Sequence, residues 1–412
     1  MSFEKEEVVV YLDAPELGAI RPVGVLTRWP GHALSVGWQY AASWLRGGAS
    51  FPIDPALPLT EYLVTIPGRR VPGVFADTTP DAWGEALLRR REGRELNHWD
   101  LLVAVADETR MGALRLRRGP DGPWISDRDP AIPPVTSLRA LQDAARRFEE
   151  DPDAPGVDAA IAGLIAPGSS LGGARPKANY RAPDGSLWIA KFPSKTDRRD
   201  VGTWEHVYLS LARAAGVVVP DTEILSIGPG GRTFATRRFD RMAGGRRLYA
   251  SALTLSARTS TEDADYADIA RAITGNVTPA AVREDLAQMY RRLAFNVLAG
   301  NRDDHLRNHG FLRLTDGWRL APAFDLNPAR EMRQHATAVN GRTVAPTADD
   351  VLATRAHFGL TEHVARMIVS DVVQALTPWR EIARQAGIGR GEISAVAGSF
   401  SALDATMAAR VG

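Results

Sequence analysis

The 412-residue chain contains no cysteine. Disulfides and thiolate-bound metals are therefore excluded, and nothing argues for secretion. Its formal net charge is +1, so it has no global basic field to gather nucleic acid. No apolar run reaches the roughly 20 residues of a membrane-spanning helix. The start, Met1-Ser2-Phe3-Glu4-Lys5-Glu6-Glu7, is acidic and lacks the apolar stretch of a signal peptide. These absences point to a soluble cytoplasmic protein with no membrane partner. Internal repeats and low-complexity tracts are also missing. What remains is ordinary globular composition, 44% hydrophobic and 24% charged. The length suffices for two or three domains.

Lysine is the other scarcity. Of the 50 basic residues only Lys5, Lys177, Lys191 and Lys195 are lysine. Three of the four fall in one short segment. Lysine is a compact point charge suited to phosphate, whereas arginine is a flat fork.

The densest chemistry lies in Asn301-Arg302-Asp303-Asp304-His305-Leu306-Arg307-Asn308, followed by Phe324-Asp325. An amphipathic helix precedes it, with Val282, Leu286, Met289, Leu293 and Val297 recurring at steps of three and four. Glu284 and Asp285 suit its positive end, and Gly300 suits a left-handed stop. Asp303 and Asn308 have the D-x-x-x-x-N spacing of a kinase catalytic loop. Asp325 adds a second metal carboxylate, which a short apolar strand over 321–325 would hold. Alone, the spacing is common and acidic loops are often only solvated.

In chain order, Val8–Leu12 and Ile20–Leu26 read as strands around a turn with Pro15 and Gly18. Trp38 to Trp44 fits a helix or a strand. The stretch from Phe75 to Gly84 opens a helix reaching Arg91, with Thr79 as cap and Pro80 at its first position. Asp100–Val105 reads as a helix, Gly112–Leu116 as a strand, and Pro130–Pro134 as a linker. Ser137–Glu149 is helical by its period. Strands follow at 188–193, 217–220 and 222–227, and 233–241 reads as a strand leaving into a charged turn. After Leu253 the pattern is helical at 266–273, 281–299, 361–376, 378–386 and 391–409.

Three features between these elements concern phosphate. Pro167 to Lys177 is rich in glycine and serine and ends in a lysine, so backbone N–H groups and an ammonium could meet there. It is neither a Walker A motif nor G-x-G-x-x-G, and taken alone such a stretch is more often only a turn. Trp188–Pro193 places Lys191 on a strand, where it could also simply face solvent. Thr203 caps the next helix, and Glu205 shares a face with Tyr208 and Ala212, so it looks toward the core and needs a partner. A strand lysine and a helix glutamate form the ion pair that holds ATP phosphates in kinases. Glu205 serving only the helix dipole is the simpler alternative.

Taken together and in this order, these pieces resemble the HipA family of bacterial toxin kinases over most of the chain. Phe75-Ala76-Asp77 with Pro80-Asp81-Ala82-Trp83-Gly84 is similar to the family's N-terminal F-x-D…P-D motif, and Met111-Gly112-Ala113-Leu114 to the end of that subdomain. Ser169 through Lys177 resembles its glycine loop. Ala190-Lys191-Phe192-Pro193 resembles its nucleotide-lysine strand. Arg238-Phe239-Asp240-Arg241 matches its R-F-D-R segment, and Asn301–Asn308 with Phe324-Asp325 its catalytic and metal loops.

The resemblance implies an α+β, two-lobed kinase-like fold. A β-rich subdomain would occupy 1–130, an ATP-binding lobe 131–245, and an all-α lobe 246–412. It implies a serine/threonine protein kinase using ATP and Mg2+. Asp303 would be catalytic, with Lys191 and Glu205 in support. Ser170, Gly172, Gly173, Ala174, Lys177, Lys191, Phe239, His305 and Asn308 would line the ATP site, and Asn308 and Asp325 would hold the metal. Ser170, or its neighbour Ser169, would be autophosphorylated and silence the enzyme. Partners would be a small helix-turn-helix antitoxin resembling HipB, operator DNA through that complex, and an aminoacyl-tRNA synthetase as substrate. Two departures concern nucleotide contacts: Arg237 stands where some members have an acidic residue, and Arg175 where others have Gln. A kinase acting on a small molecule or lipid, and a non-catalytic antitoxin-binding corepressor, are the alternatives.

Overall fold

The computed structural model describes residues 5–29, 35–66, 71–126, 132–154, 175–228 and 231–411, together with positions 157, 164 and 173. Five antiparallel strands come first: β1 (Glu6–Leu12), β2 (Arg21–Trp29), β3 (Ser35–Tyr40), β4 (Val64–Ile66) and β5 (Leu114–Arg117). Their order is β4-β3-β2-β1-β5. Alternation puts Val8, Val10 and Leu12 on the buried face. The ambiguous Trp38–Trp44 stretch divides: Trp38 and Tyr40 belong to β3, and Trp44 to a single helical turn, Ala42–Leu45.

Two expected caps move. The helix Ala82–Glu92 is capped by Asp81, whose side chain accepts from Gly84 N at 2.9 Å. Thr79 cannot serve, because its hydroxyl donates to the Ala76 carbonyl at 2.7 Å and closes the preceding Gly73–Ala76 turn. Likewise Asp200, not Thr203, caps Val201–Ala214; Thr203 is the third helical residue and donates its N–H to Asp200 at 3.0 Å.

The second sheet consists of β6 (Lys177–Arg181), β7 (Leu187–Lys191), β8 (Thr222–Leu225) and β9 (Thr233–Arg237), ordered β6-β7-β9-β8. Its two faces are covered differently. Trp188 and Ala190 pack with Leu141 and Phe148 of the helix Leu138–Glu150. The opposite face carries Phe234, which packs with Val207 and Leu211 of Val201–Ala214. Residues 217–220 do not form a strand: the Val218 carbonyl accepts from Ala323 N at 2.8 Å and its N–H donates to Gln288 Oε1 at 3.2 Å, so both its backbone groups serve other segments.

The C-terminal lobe, read as all-α, is helical in bulk but carries sheets as well. Leu248–Ser251, Gly310–Leu314 and Gly317–Leu320 form one antiparallel sheet, and Gln334–Val339 pairs with Arg342–Val344. Strands this short hold too few periods to separate from loop. Val282–Ala299 runs through the middle of the lobe, packed by Tyr266–Asn276, Glu362–Leu376 and Ser401–Val411. Leu286, Met289, Leu293 and Val297 are buried along it. Gly300 then turns at φ +68°, and a Cβ there would lie 2.1 Å from the Ser399 carbonyl oxygen. Only glycine fits that approach, so the acidic loop is launched from a fixed point.

Candidate active site

Lys191 ends β7, on the sheet face opposite Ala190, and is 7% exposed. Its ammonium lies 2.7 Å from Glu205 of Val201–Ala214 and 2.8 Å from Asp325 of the helical lobe. One point charge therefore joins the sheet to both sides of a cleft. Burial opposes the Lys191 charge, but Asp325 and Glu205 outweigh it and raise its pKa. Burial would also raise Asp325, yet Lys191 holds it down at about 2. For Glu205 burial prevails and its pKa rises, with Asp325 adding like-charge repulsion. Two carboxylates sharing one ammonium is a loaded arrangement, able to exchange partners when other charges arrive.

Asp325 does not sit on a strand as expected. Its φ is +57°, a left-handed conformation that Asp tolerates at a cost of about 1–2 kcal/mol. That twist interrupts any extended run through 321–325.

The acidic loop divides its two adjacent aspartates sharply. Asp304 is 1% exposed. Its carboxylate accepts from Tyr266 Oη at 2.8 Å, Ala336 N at 3.0 Å and Thr337 N at 3.2 Å, and lies 3.0 Å from His335 Nδ1. Asp303 keeps a side chain 54% exposed, with His305 Nε2 at 3.8 Å. Partial burial raises its pKa, His305 opposes that, and Asp325 and Asp304 add to it. Asn308 donates from Nδ2 to the Asp303 carbonyl at 2.7 Å, which closes the loop on itself. Behind it, Asn301 donates to Asn296 Oδ1 at 3.1 Å, and Asn296 donates to Tyr266 Oη at 2.8 Å. Asp303 is thus the exposed carboxylate of a loop pinned by its neighbours, with His305 beside it.

A narrow cleft, partly open to solvent, is lined by Ile189, Lys191, Thr236, Phe239, Phe324 and Asp325 among others. The Phe239 and Phe324 rings lie 5.4 Å apart at 32°. An apolar wall beside a cation and carboxylates suits a ligand with a flat base and a charged tail. Among the described residues, no group of three or more His, Asp or Glu is arranged to hold a metal alone. Asp325 and Asn308 are hard oxygen donors, which fits Mg2+ completed by phosphate oxygens and water.

The glycine loop is partly outside the described residues. Ser170, Gly172 and Ala174, and also Ser169, lie there. Gly173 is described, with φ +71°. Lys177 is 0% exposed and pairs with Asp81, and it donates to the Gly173 carbonyl at 3.1 Å.

A family model described as HipA-like C-terminal domain matches residues 169–379, and one described as HipA N-terminal domain matches residues 18–117. The chain belongs to the HipA family. The fold agrees. A HipA chain from the Shewanella oneidensis MR-1 complex of HipA, HipB and operator DNA superposes with a TM-score of 0.69 at 18% identity, over 96% of this chain and 95% of that one. The Helicobacter pylori proinflammatory kinase CtkA gives a TM-score of 0.41 at 18% identity, over 57% of this chain and 88% of that one. A curated relative, "Putative kinase Y4dM" of Sinorhizobium fredii, is 31% identical over 159 residues. That match spans 34% of this chain and 37% of the relative, little more than a third of its length. The architecture is the two-lobed, kinase-like α+β fold of HipA.

The HipA motifs also contain residues whose work the sequence did not disclose. Asp77 accepts from Ser251 N at 2.7 Å and from the Ser251 and Thr254 hydroxyls at 2.8 Å, tying the first region to the strand Leu248–Ser251. Asp240 is wholly buried between Arg238 and Arg241 and accepts from Gly112 N at 2.8 Å. Arg238 in turn donates to the Thr109 carbonyl at 2.7 Å and to Asn179 Oδ1 at 3.0 Å. The R-F-D-R segment is therefore a junction as well as the carrier of Phe239. The two departures have partners of their own: Arg175 grips Asp197 with two nitrogens at 2.7 and 2.8 Å, and Arg237 lies 3.6 Å from Asp221.

Proposed function

We propose that the chain is an ATP-dependent kinase that transfers the γ-phosphate to a serine or threonine hydroxyl of a protein, and acts as the toxin of a toxin–antitoxin pair. The observation that carries this is the Lys191 ammonium bridging Glu205 and Asp325 across a cleft, with the exposed Asp303 carboxylate close enough to Asp325 to feel its charge.

Lys191 steadies the α- and β-phosphates while Glu205 fixes its direction. Phe239 and Phe324 cover the adenine. Asp303 orients the acceptor hydroxyl and takes its proton as the new P–O bond forms and the β,γ-bridging P–O bond breaks, leaving ADP. Its pKa, raised by partial burial and by Asp325 and Asp304 against the opposing pull of His305, suits a group that must accept a proton. Asn308 and Asp325 would hold Mg2+, which when bound screens the phosphate charge. Catalysis of this kind is positioning and electrostatics rather than covalent chemistry.

Family resemblance supports a HipB-like helix-turn-helix antitoxin as partner, contact with operator DNA through that complex, and an aminoacyl-tRNA synthetase as acceptor. It also supports inactivating autophosphorylation at Ser170. Asp303→Ala tests the core of the reading. With γ-labelled ATP the variant transfers no label, while calorimetry still detects ATP binding. Transfer at the wild-type rate by that variant ends the assignment.

A further inference from the structure

β6 and β7 pair so that Lys177 stands directly opposite Lys191. Residues opposite each other on one sheet face have Cβ atoms about 4.5–5.5 Å apart, and like charges there repel. Each ammonium has its own counter-charge. Lys191 has Glu205 and Asp325; Lys177 has Asp81, contributed by the 71–126 region and not by either wall of the cleft. The two Asp81 oxygens do different jobs. Oδ1 caps Ala82–Glu92 through Gly84 N, which fixes the side chain, and Oδ2 takes the Lys177 ammonium. That ammonium also donates to the carbonyl of Gly173.

We propose that Asp81 is a positioning residue of the nucleotide site: by pairing with Lys177 it keeps a second ammonium beside Lys191, so the N-terminal region completes the ATP site. The inference rests on the kinase reading above. Without the carboxylate, Lys177 loses its ion pair with Asp81 while still standing opposite Lys191, and its ammonium is held less firmly beside it.

Asp81→Asn isolates this role, because Asn caps a helix as well as Asp does. ATP affinity is measured by calorimetry, and kcat and KM by γ-phosphate transfer, for wild type, Asp81→Asn, Lys177→Met and the double variant. Losing a charge-assisted contact weakens ATP binding about tenfold in Asp81→Asn. At saturating ATP its kcat stays within about twofold, the mark of lost ground-state binding. The double variant binds no worse than Lys177→Met, because both act on one interaction. ATP binding by Asp81→Asn as tight as wild type, or losses that multiply in the double variant, overturns the inference. If Asp81→Asn fails to fold, Asp81→Glu keeps the charge, displaces it by one methylene, and gives the same test through KM. Wild-type protein that binds no ATP removes the kinase reading itself, a separate and recognisable failure.

Discussion

Replacing Lys191 by methionine keeps the stem's bulk and deletes the ammonium. Glu205 and Asp325, with side chains 3% and 20% exposed, then face each other with no cation between them. Breaking a buried ion pair by removing one partner costs about 3–5 kcal/mol. Here a single removal strands two carboxylates, so the upper part of that range applies. Glu205→Gln is the informative contrast. It leaves the 2.8 Å pair between Lys191 and Asp325 and removes the repulsion between the two carboxylates. One charge-assisted hydrogen bond, about 1.5–3 kcal/mol, is lost, and the relief offsets part of it. Urea unfolding at pH 7 without divalent cations should place Lys191→Met at least about 2 kcal/mol below Glu205→Gln, with similar slopes. The pH dependence supplies a second reading. In Lys191→Met the folded protein binds a proton between the crowded carboxylates more readily than the unfolded chain does. Stability of that variant relative to wild type therefore recovers as pH falls from about 7 to about 5. Equal losses in the two variants, or a deficit that ignores pH, would refute the reasoning.

His309 is buried, and burial with Arg292 nearby lowers its pKa to about 4. Below about pH 6.5 the unfolded chain takes up a proton that the folded protein refuses. Stability contributed at this position falls between pH 6.5 and 4 by about 3 kcal/mol, then levels, and His309→Gln flattens that segment of the stability–pH curve. Asp240→Asn leaves Arg238 and Arg241 buried with their carboxylate gone; a loss of about 3–5 kcal/mol in chemical denaturation is expected, and a loss below about 1 kcal/mol contradicts the junction role. Gly300→Ala combines a left-handed backbone with a Cβ 2.1 Å from the Ser399 oxygen. It should lower the melting temperature by several degrees, more than about 1 kcal/mol, and a neutral outcome would deny that the helix end is fixed there.

The Lys191–Glu205 contact was legible because each residue sits in a periodic element. A strand following the 183–185 turn carried Lys191, its facing left open, and spacing to Tyr208 and Ala212 turned Glu205 inward. The helix ending at Gly300 was legible for the same reason. Beyond Gly300 the period stops, and with it the means to tell Asp303 from Asp304. What separates them is Tyr266 and His335, which lie 38 and 31 residues from Asp304 and reach it only through tertiary packing. Lys177 shows the same limit. A glycine-rich neighbourhood suggested phosphate, but its structural partner, Asp81, lies 96 residues upstream. The capping shifts have a more local cause: at both helices a better acceptor, an aspartate, stood within three residues of the threonine.

The scarcity of lysine acquires a physical meaning in this arrangement. Arg238, Arg241 and Arg246 spend their planar donors on several carbonyls and carboxylates at once, binding the N-terminal region to the rest of the chain. A junction that should never open is well served by a fork with five donors and a fixed shape. Lys177 and Lys191 are compact point charges set against carboxylates, Asp81 for one and Glu205 and Asp325 for the other, and on the kinase reading Lys191 exchanges Asp325 for a phosphate oxygen by a small rotation. Lys5 and Lys195 are exposed and carry no such duty. The chemistry of the cleft therefore follows from which cation the chain places where. An arginine at position 191 would keep the charge, yet on the kinase reading its guanidinium would bind Glu205 and Asp325 together, in too rigid a plane, to release Asp325.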